Sequence, residues 1–426
     1  MRPEAGQLFY LATQGCKVNQ YESQAIREAW TALGLLEIAD PAQADIVLIN
    51  SCAVTERAVL DLAKLVRGFA AMTPKPQIII VGCAVEADRR RIQALPGVDS
   101  VIAQKDKPSL GQSHDPTATF PRLNISDYNR ARAVIKVQDG CSHRCTYCII
   151  PTTRGRSVSR DPADVVAEAG RLLRSGIREL TLCGINLRQY GRDLHPVTDL
   201  WDLLAEVDRC LSPEWAGRVR LRLGSLEPGD LHPKALDTLA GCRMMSPHLH
   251  LSLQSGSPFI LKRMGRGHYS PDRIFDFVND LTSHWPVFGL GADIITGFPG
   301  ETESHFRETL DVTQQLPLSY AHVFPYSERP GTPAAEFSAA LPSHVRRERA
   351  KILRHLVGTK RDGFLRSLLS LPRMHVVPEE GGTGMNEFYV ECRMKGPVAP
   401  GRELVPVTPT AVVAAGLLVS AIKEQA

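Results

Sequence analysis

Short apolar runs, each followed by a stretch of helical period, recur along most of this 426-residue chain and constrain its fold more than any other feature. QLFYLAT, DIVLIN and PQIIIV are apolar almost throughout rather than alternating, the pattern of strands covered on both faces. Helical patterns lie between and after them, at 19–34, 55–71 and 86–95. In the first, Tyr21, Ala25, Ala29 and Leu33 form an i, i+4 stripe that Gly34 can end. Parallel strands joined by helices predict an N-terminal doubly wound α/β domain.

A polar stretch, KPSLGQSHDPTATFPRLN, interrupts the alternation and reads as a linker. The pattern then resumes through six strands: RAVIKVQ, ELTLCGI, RVRLRLGS, HLHLSLQ, GADIIT and YAHVFPY. Helices are predicted at 162–174, 271–282 and 303–315 among them. Six such units are too few for a full eight-stranded barrel and predict a partial (β/α)6 barrel with its site at the strand ends. Beyond Leu371, the runs RMHVV, EFYVECRM and AVVAAG, separated by Gly and Pro, predict a small C-terminal β-barrel. The domain boundaries fall at 1–128, 129–367 and 368–426.

Hydrophobic residues at 43% and charged residues at 23% are the composition of a globular protein with a large core. The net charge of +4 permits an anionic partner without demanding one. MRPEAGQLFY holds no apolar signal core, and no apolar run approaches the roughly 18 residues of a membrane span, so a cytoplasmic protein without a membrane partner is expected. In that reducing compartment, ten cysteines point to metal ligation or burial rather than to disulfides.

Six of those cysteines carry a pattern. QDGCSHRCTYCIIPTTRGR offers Cys141, Cys145 and Cys148 as C-x₃-C-x₂-C, directly after the first strand of the second domain. Thiolates suit both Zn²⁺ and iron–sulfur clusters. Zinc would need a fourth protein ligand, for which His143 is the neighbouring candidate; a cluster with one iron left open accounts for the missing ligand better. Cys16, Cys52 and Cys83 are far apart in sequence, yet each follows the end of a predicted parallel strand. Adjoining strands would bring the three thiols together; the alternative is three buried structural cysteines. Cys183, Cys210, Cys242 and Cys392 lack partner spacing and read as structural.

The C-x₃-C-x₂-C loop with Tyr147 before its last cysteine resembles the radical S-adenosylmethionine (SAM) superfamily. Together with GCKVNQYES, NSCAVT and GCAVE, it is similar to the methylthiotransferase family over nearly the whole chain. That resemblance implies two 4Fe–4S clusters, one on Cys16, Cys52 and Cys83 and one on Cys141, Cys145 and Cys148. Each has an open iron, the second bound by the amino and carboxylate groups of SAM, whose cleavage gives a 5′-deoxyadenosyl radical. Implied SAM contacts are the Tyr147 backbone near the adenine, Gly184 and Asn186 at the methionine amino group, and Ser225, Glu227, Gln254 and Ile295 at later strand ends. Arg154 is implied as partner of the SAM carboxylate, because a guanidinium reads carboxylates bidentately.

The family's branches act on isopentenyl-adenosine in tRNA, on threonylcarbamoyladenosine in tRNA, or on a ribosomal-protein aspartate. GCKVNQYES, LCGINLRQYG, LHLSLQSGS and HVFPYSERPGTPA look most like the threonylcarbamoyladenosine branch, with Gln14 and Cys183 standing where Leu and Thr are usual. The partners implied are the tRNA anticodon loop, a sulfur donor and a low-potential electron donor; no general base is assigned. The C-terminal barrel resembles the TRAM RNA-binding module. Basic strings, TTRGRSVSR, LKRMGRGH and the amphipathic stretch 341–366, suggest a phosphate-tracking surface. Phe388 and Tyr389 read either as base-stacking or as core residues.

Overall fold

The computed structural model describes residues 4–110, 120, 125–128, 131–396 and 402–422. Two units emerge: Met1–Ile125 with Gln138–Arg160 and Ser327–Ala335, and Ser126–Val137 with Asp161–Tyr326 and Glu336–Ala426.

In the first unit the apolar runs become β1 (Leu8–Thr13), β3 (Ile46–Ser51) and β4 (Gln77–Gly82), flanked by the short β2 (Leu36–Glu37) and β5 (Ser100–Val101). They pair in parallel, in the order β2-β1-β3-β4-β5. Alternate side chains feed two cores. Val47, Ile49, Ile78 and Ile80 pack with Val59, Leu62, Val66 and Phe69 of α2 (Glu56–Ala70). Ile46, Leu48, Ile79 and Val81 pack with Ile26 and Trp30 of α1 (Lys17–Ala32). Burial on both faces explains why these strands are apolar without alternation.

The helix expected at 86–95 is two shorter ones, α3 (Cys83–Ala87) and α4 (Arg89–Gln93). Asp88 breaks it: its carboxylate accepts from the Arg91 N–H at 3.1 Å and starts the second helix. Most of the linker reading, at 111–119 and 121–124, lies outside the described residues. Its first residues belong instead to a 3₁₀ segment, Gln104–Leu110, in which Lys107 is buried.

The cysteine loop also lies in the first unit. It leaves β7 (Gln138–Asp139), passes through α5 (Ile150–Arg154) and returns on β8 (Val158–Ser159), which pairs with β7.

The second unit carries the six predicted strands. β6 (Arg132–Lys136), β9 (Glu179–Cys183) and β10 (Arg220–Leu223) form one parallel sheet. β11 (His248–Gln254), β12 (Gly289–Thr296) and β13 (Tyr320–Pro325) form another, and a parallel bridge between Leu226 and Leu251 joins the two. The helices are α6 (Pro162–Arg174), α7 (Leu200–Trp215), α8 (Pro233–Gly241), α9 (Pro258–Arg263), α10 (Pro271–His284), α11 (Glu303–Gln315) and α12 (Ser343–Leu368).

Five further strands, β14 (Met374–Glu379), β15 (Thr383–Asn386), β16 (Glu391–Met394), β17 (Val405–Val413) and β18 (Gly416–Ala421), close into a barrel in the order β14-β15-β16-β18-β17. Phe388 belongs to its core. Tyr389, at φ +64°, stacks on His248 with centroids 4.6 Å apart. Both aromatics are therefore committed to packing rather than to bases.

Most basic residues of the strings read as phosphate-tracking serve the fold. On α12, Arg346 donates to the Tyr326 carbonyl at 2.7 Å, Arg354 to Val323 at 2.6 Å, and Arg349 pairs with Glu301 at 2.6 Å. Leu353, Val357 and Leu368 are buried on the apolar side. Among the described residues no helix is long and apolar enough to cross a membrane.

The C-terminal barrel is fastened at the N-terminal strand ends by buried charge. Glu179 Oε2 lies 2.6 Å from Arg220 Nη2, and its Oε1 lies 2.9 Å from Arg222 Nε. Arg220 donates onward to the His375 and Met385 carbonyls, and Arg222 to those of Asn386 and Glu387. Burial alone would raise the Glu179 pKa, but the arginines around it bring the carboxyl down from 4.5 to about 2. A depressed carboxyl contributes stability above its unfolded pKa and loses it as pH falls from about 4.5 towards 2. Glu179→Gln is expected to cost about 3–5 kcal/mol at pH 7, because two buried guanidinium groups lose their counter-charge. Urea unfolding from pH 7 to 3 is expected to show a fall at acid pH that is smaller in the variant.

Candidate functional site

The first unit offers three strand ends in register. Thr13 of β1 pairs with Asn50 of β3, and Asn50 pairs with Val81 of β4. Cys16, Cys52 and Cys83 follow these residues closely, on strands about 4.8 Å apart. In a 2-1-3-4-5 sheet the switch point lies between β1 and β3, where such folds hold ligands. Cys16 caps α1, Cys52 follows β3, and Cys83 opens α3. Cys16 is exposed, whereas Cys52 and Cys83 are buried. Burial pushes the Cys52 thiol up, and the neighbouring Cys83 and Cys16 thiols push the same way, while the Val54 N–H and Arg154 oppose them. Cys52 is thus near enough to feel both other thiols.

Two glycines make the approach possible. A Cβ on Gly82 (φ +99°) would lie 2.4 Å from the Ser51 carbonyl oxygen, and one on Gly15 (φ +94°) would lie 2.7 Å from the Cys52 Cβ. Polar side chains on the first turns of α1 pin the strand ends. Asn19 Nδ2 donates to the carbonyls of Gln14 (2.8 Å) and Ser51 (3.0 Å), and Asn50 Nδ2 donates to the Asn19 carbonyl (2.9 Å). Asn19, Glu22, Ser23 and Gln24 are all buried, a polar inner face that a search for apolar stripes does not find. Leu33, placed on the apolar stripe, is 51% exposed.

In the cysteine loop, the Cys141 N–H donates to Gly155 O at 3.0 Å and the Cys148 N–H to Cys145 O at 3.0 Å. Gln138 Nε2 donates to Gly140 O at 2.7 Å and to Ser157 Oγ at 2.8 Å, closing the base of the loop. Cys141 is buried; Cys145, Tyr147 and Cys148 are half-buried.

Arg154, read as a carboxylate partner for a cofactor, is placed differently. Its Nε lies 3.2 Å from Cys83 Sγ, and its other donors reach Glu22, Asp139 and Asn19. Lys107 pairs with the same Glu22 and donates to Asn50 Oδ1 at 2.8 Å. Sequence reasoning missed Glu22, Lys107 and Asp139.

The other expected contacts lie in the second unit. Gly184 and Asn186 follow β9, Ser225 and Glu227 follow β10, Gln254 ends β11 and Ile295 lies near the end of β12. Asn186 Nδ2 donates to Glu227 Oε2 at 3.2 Å. Glu227 is buried, its other oxygen meeting His268, with Arg266 and Arg188 at 3.6 and 3.8 Å. Gln254 sits at φ +63°, a strained conformation for a non-glycine residue, where the pairing with β12 shifts register. The carboxylate with two guanidiniums and an imidazole at a strand-end rim suits a zwitterionic ligand. His268 and Arg266 were legible only within a basic string, and Arg188 only within LCGINLRQYG.

Comparison with known proteins matches two families to the chain: the Radical SAM superfamily over residues 135–313, and Uncharacterized protein family UPF0004 over residues 8–103. Threonylcarbamoyladenosine tRNA methylthiotransferase MtaB of Chlamydia pneumoniae is 37% identical over 81% of this chain and 80% of that protein. The protein of that name from Bacillus subtilis (strain 168) is 34% identical over 79% and 77%. The tRNA-2-methylthio-N(6)-dimethylallyladenosine synthase of Natranaerobius thermophilus is 32% identical over 82% and 80%. Among solved structures, the radical S-adenosylmethionine methyltransferase TsrM from Kitasatospora setae matches with TM-score 0.56 at 15% identity, over 78% of this chain and 77% of that one, a likeness of fold.

The crowding at Gly82 sets an expectation independent of any ligand. Gly82→Ala should lower stability in urea unfolding by more than Gly217→Ala, which has a similar backbone (φ +77°) but open space around it. The conformational cost common to both is about 1–3 kcal/mol, and only Gly82→Ala adds a backbone clash.

Proposed function

The chain belongs to the radical SAM methylthiotransferase family, and from that premise we propose that it adds a methylthio group to C2 of N6-threonylcarbamoyladenosine in the anticodon loop of tRNA. Residues 1–128 would carry the sulfur-donating site, 129–367 the SAM site and 368–426 a TRAM-like RNA contact, in the cytoplasm. The donor sets fit the implied cofactors: each offers three soft thiolates, enough to hold a 4Fe–4S cluster while one iron stays open to a reactant. What supports the reading most is the occurrence, within one unit, of Cys16, Cys52 and Cys83 at adjoining strand ends together with the Cys141, Cys145 and Cys148 loop.

When bound, the two clusters and SAM supply transferable sulfur and reductive cleavage of SAM. The chain's own residues bind and orient. Glu227, steadied by Asn186 and His268, is an acceptor for the cofactor's ammonium or hydroxyl groups, with Arg188 and Arg266 beside its carboxylate. Gly184 and the turn after Ile295 allow backbone to approach the ligand, and Gln254 and Ser225 add polar contacts at neighbouring strand ends. The Tyr147 backbone would lie against the adenine. A loop adenosine is the appropriate target because unstacking it costs less than flipping a base from a duplex. A sulfur donor and a low-potential electron donor complete the reaction.

Anaerobically reconstituted protein should hold about eight irons per chain. Cys83→Ala should lose methylthiolation yet still form 5′-deoxyadenosine; loss of both activities together would remove the division of labour. Mass spectrometry of tRNA nucleosides from a deletion strain should show threonylcarbamoyladenosine without its methylthio group. If the methylthio group disappears from isopentenyl-adenosine instead, the substrate assignment passes to that branch.

A further inference from the structure

Arg154 is the most heavily committed buried side chain beside the cysteines. Its side chain is 1% exposed. Nε donates to Cys83 Sγ at 3.2 Å; Nη1 donates to Glu22 Oε1 and Asp139 Oδ1, both at 2.9 Å; Nη2 donates to Asn19 Oδ1 at 2.7 Å and Glu22 Oε2 at 3.1 Å. These contacts occupy all five N–H donors of a guanidinium. Such a group cannot turn to an incoming carboxylate without giving up its bonds to buried Glu22 and half-buried Asp139. Its direction also has a consequence, since only one of the three sulfurs at the switch point receives this cationic donor.

We propose that Arg154 is a positioning residue for the sulfur-donating centre, holding a fixed positive charge and an N–H bond on the Cys83 sulfur so that the group bound by Cys16, Cys52 and Cys83 is reduced more readily. This rests on the reading of those cysteines as ligands of a 4Fe–4S cluster. A hydrogen bond to a ligating sulfur withdraws electron density from the metal, and a nearby cation stabilises the added electron; both raise the reduction potential. Asp139 makes the arrangement common to both cysteine sets. Its Oδ1 takes the Arg154 bond and also accepts the Gly140 N–H at 2.8 Å, directly before Cys141. Arg154 is followed by Gly155, whose carbonyl accepts the Cys141 N–H at 3.0 Å. One guanidinium therefore fixes the Cys83 sulfur and the entry to the second loop. Lysine could supply the charge but not this planar set of donors.

The test uses full-length protein in which Cys141, Cys145 and Cys148 are all alanine, so that only the first centre is loaded. Its midpoint potential is measured by EPR-monitored reduction with dithionite, alongside an iron count. Arg154→Lys should lower the potential, and Arg154→Gln should lower it further, because the cation shared by Cys83, Glu22 and Asp139 is then removed. Arg154→Lys retains the charge and keeps the test open if Arg154→Gln fails to fold. An unchanged potential in an iron-loaded Arg154→Lys variant would overturn the proposal. If the parent without Arg154 changes binds no iron, the ligand reading itself fails, a result distinct from an unshifted potential.

Discussion

A parallel sheet buried on both faces has only its strand ends left for polar chemistry. In the first unit that constraint governs everything else. The continuous apolar runs of β3 and β4 supply two cores, and the pairing register leaves Thr13, Asn50 and Val81 side by side. The cysteines need no long-range recognition of their own to meet. They sit within three residues of positions that the sheet has already aligned, and a one-residue slip in register would both separate them and invert the apolar faces.

Two of the buried charge clusters, at Glu179 and at Arg154, follow one rule: each buried ion is matched by neighbours of opposite charge. At Glu179 the carboxylate is ringed by arginines whose spare donors go to backbone carbonyls of the C-terminal barrel. At Arg154 the cation is ringed by carboxylates, and its spare donor goes to a thiol. The first arrangement holds the C-terminal barrel in place and the second holds a thiol sulfur, yet the physics is the same. Satisfying a buried guanidinium requires several fixed acceptors, so its position becomes over-determined.

Continuous apolar strands can be read from local sequence, and every predicted strand of both α/β regions lies where its pattern put it. The cysteine positions were legible for the same reason, because they abut those strands. Polar burial was not. Lys107 stood in a stretch with every mark of a linker, and what encloses it is Glu22, which is 85 residues away. Asn19 and Glu22 share a helix face with apolar neighbours, so hydrophobic periodicity alone gives them no weight. Arg154 was legible as a carboxylate-binding residue; the carboxylates are Glu22 and Asp139 of the protein itself. The split at Asp88 turned on a single side chain competing for a backbone N–H.

The basic residues show how composition can mislead about surfaces. A stretch dense in Arg and Lys reads as an electrostatic face, yet Arg346 and Arg354 of α12 close off backbone carbonyls and Arg349 neutralises Glu301. Arginine suits that work because its methylene stem packs along the apolar surface while the planar head reaches a carbonyl. What such residues leave for a polyanion is the subset whose heads stay in water, Arg347, Lys351 and Arg366 on α12. The charge that α12 offers to a polyanion is therefore smaller and more localised than the sequence count, and the salt dependence of any such contact should follow that subset rather than the whole helix.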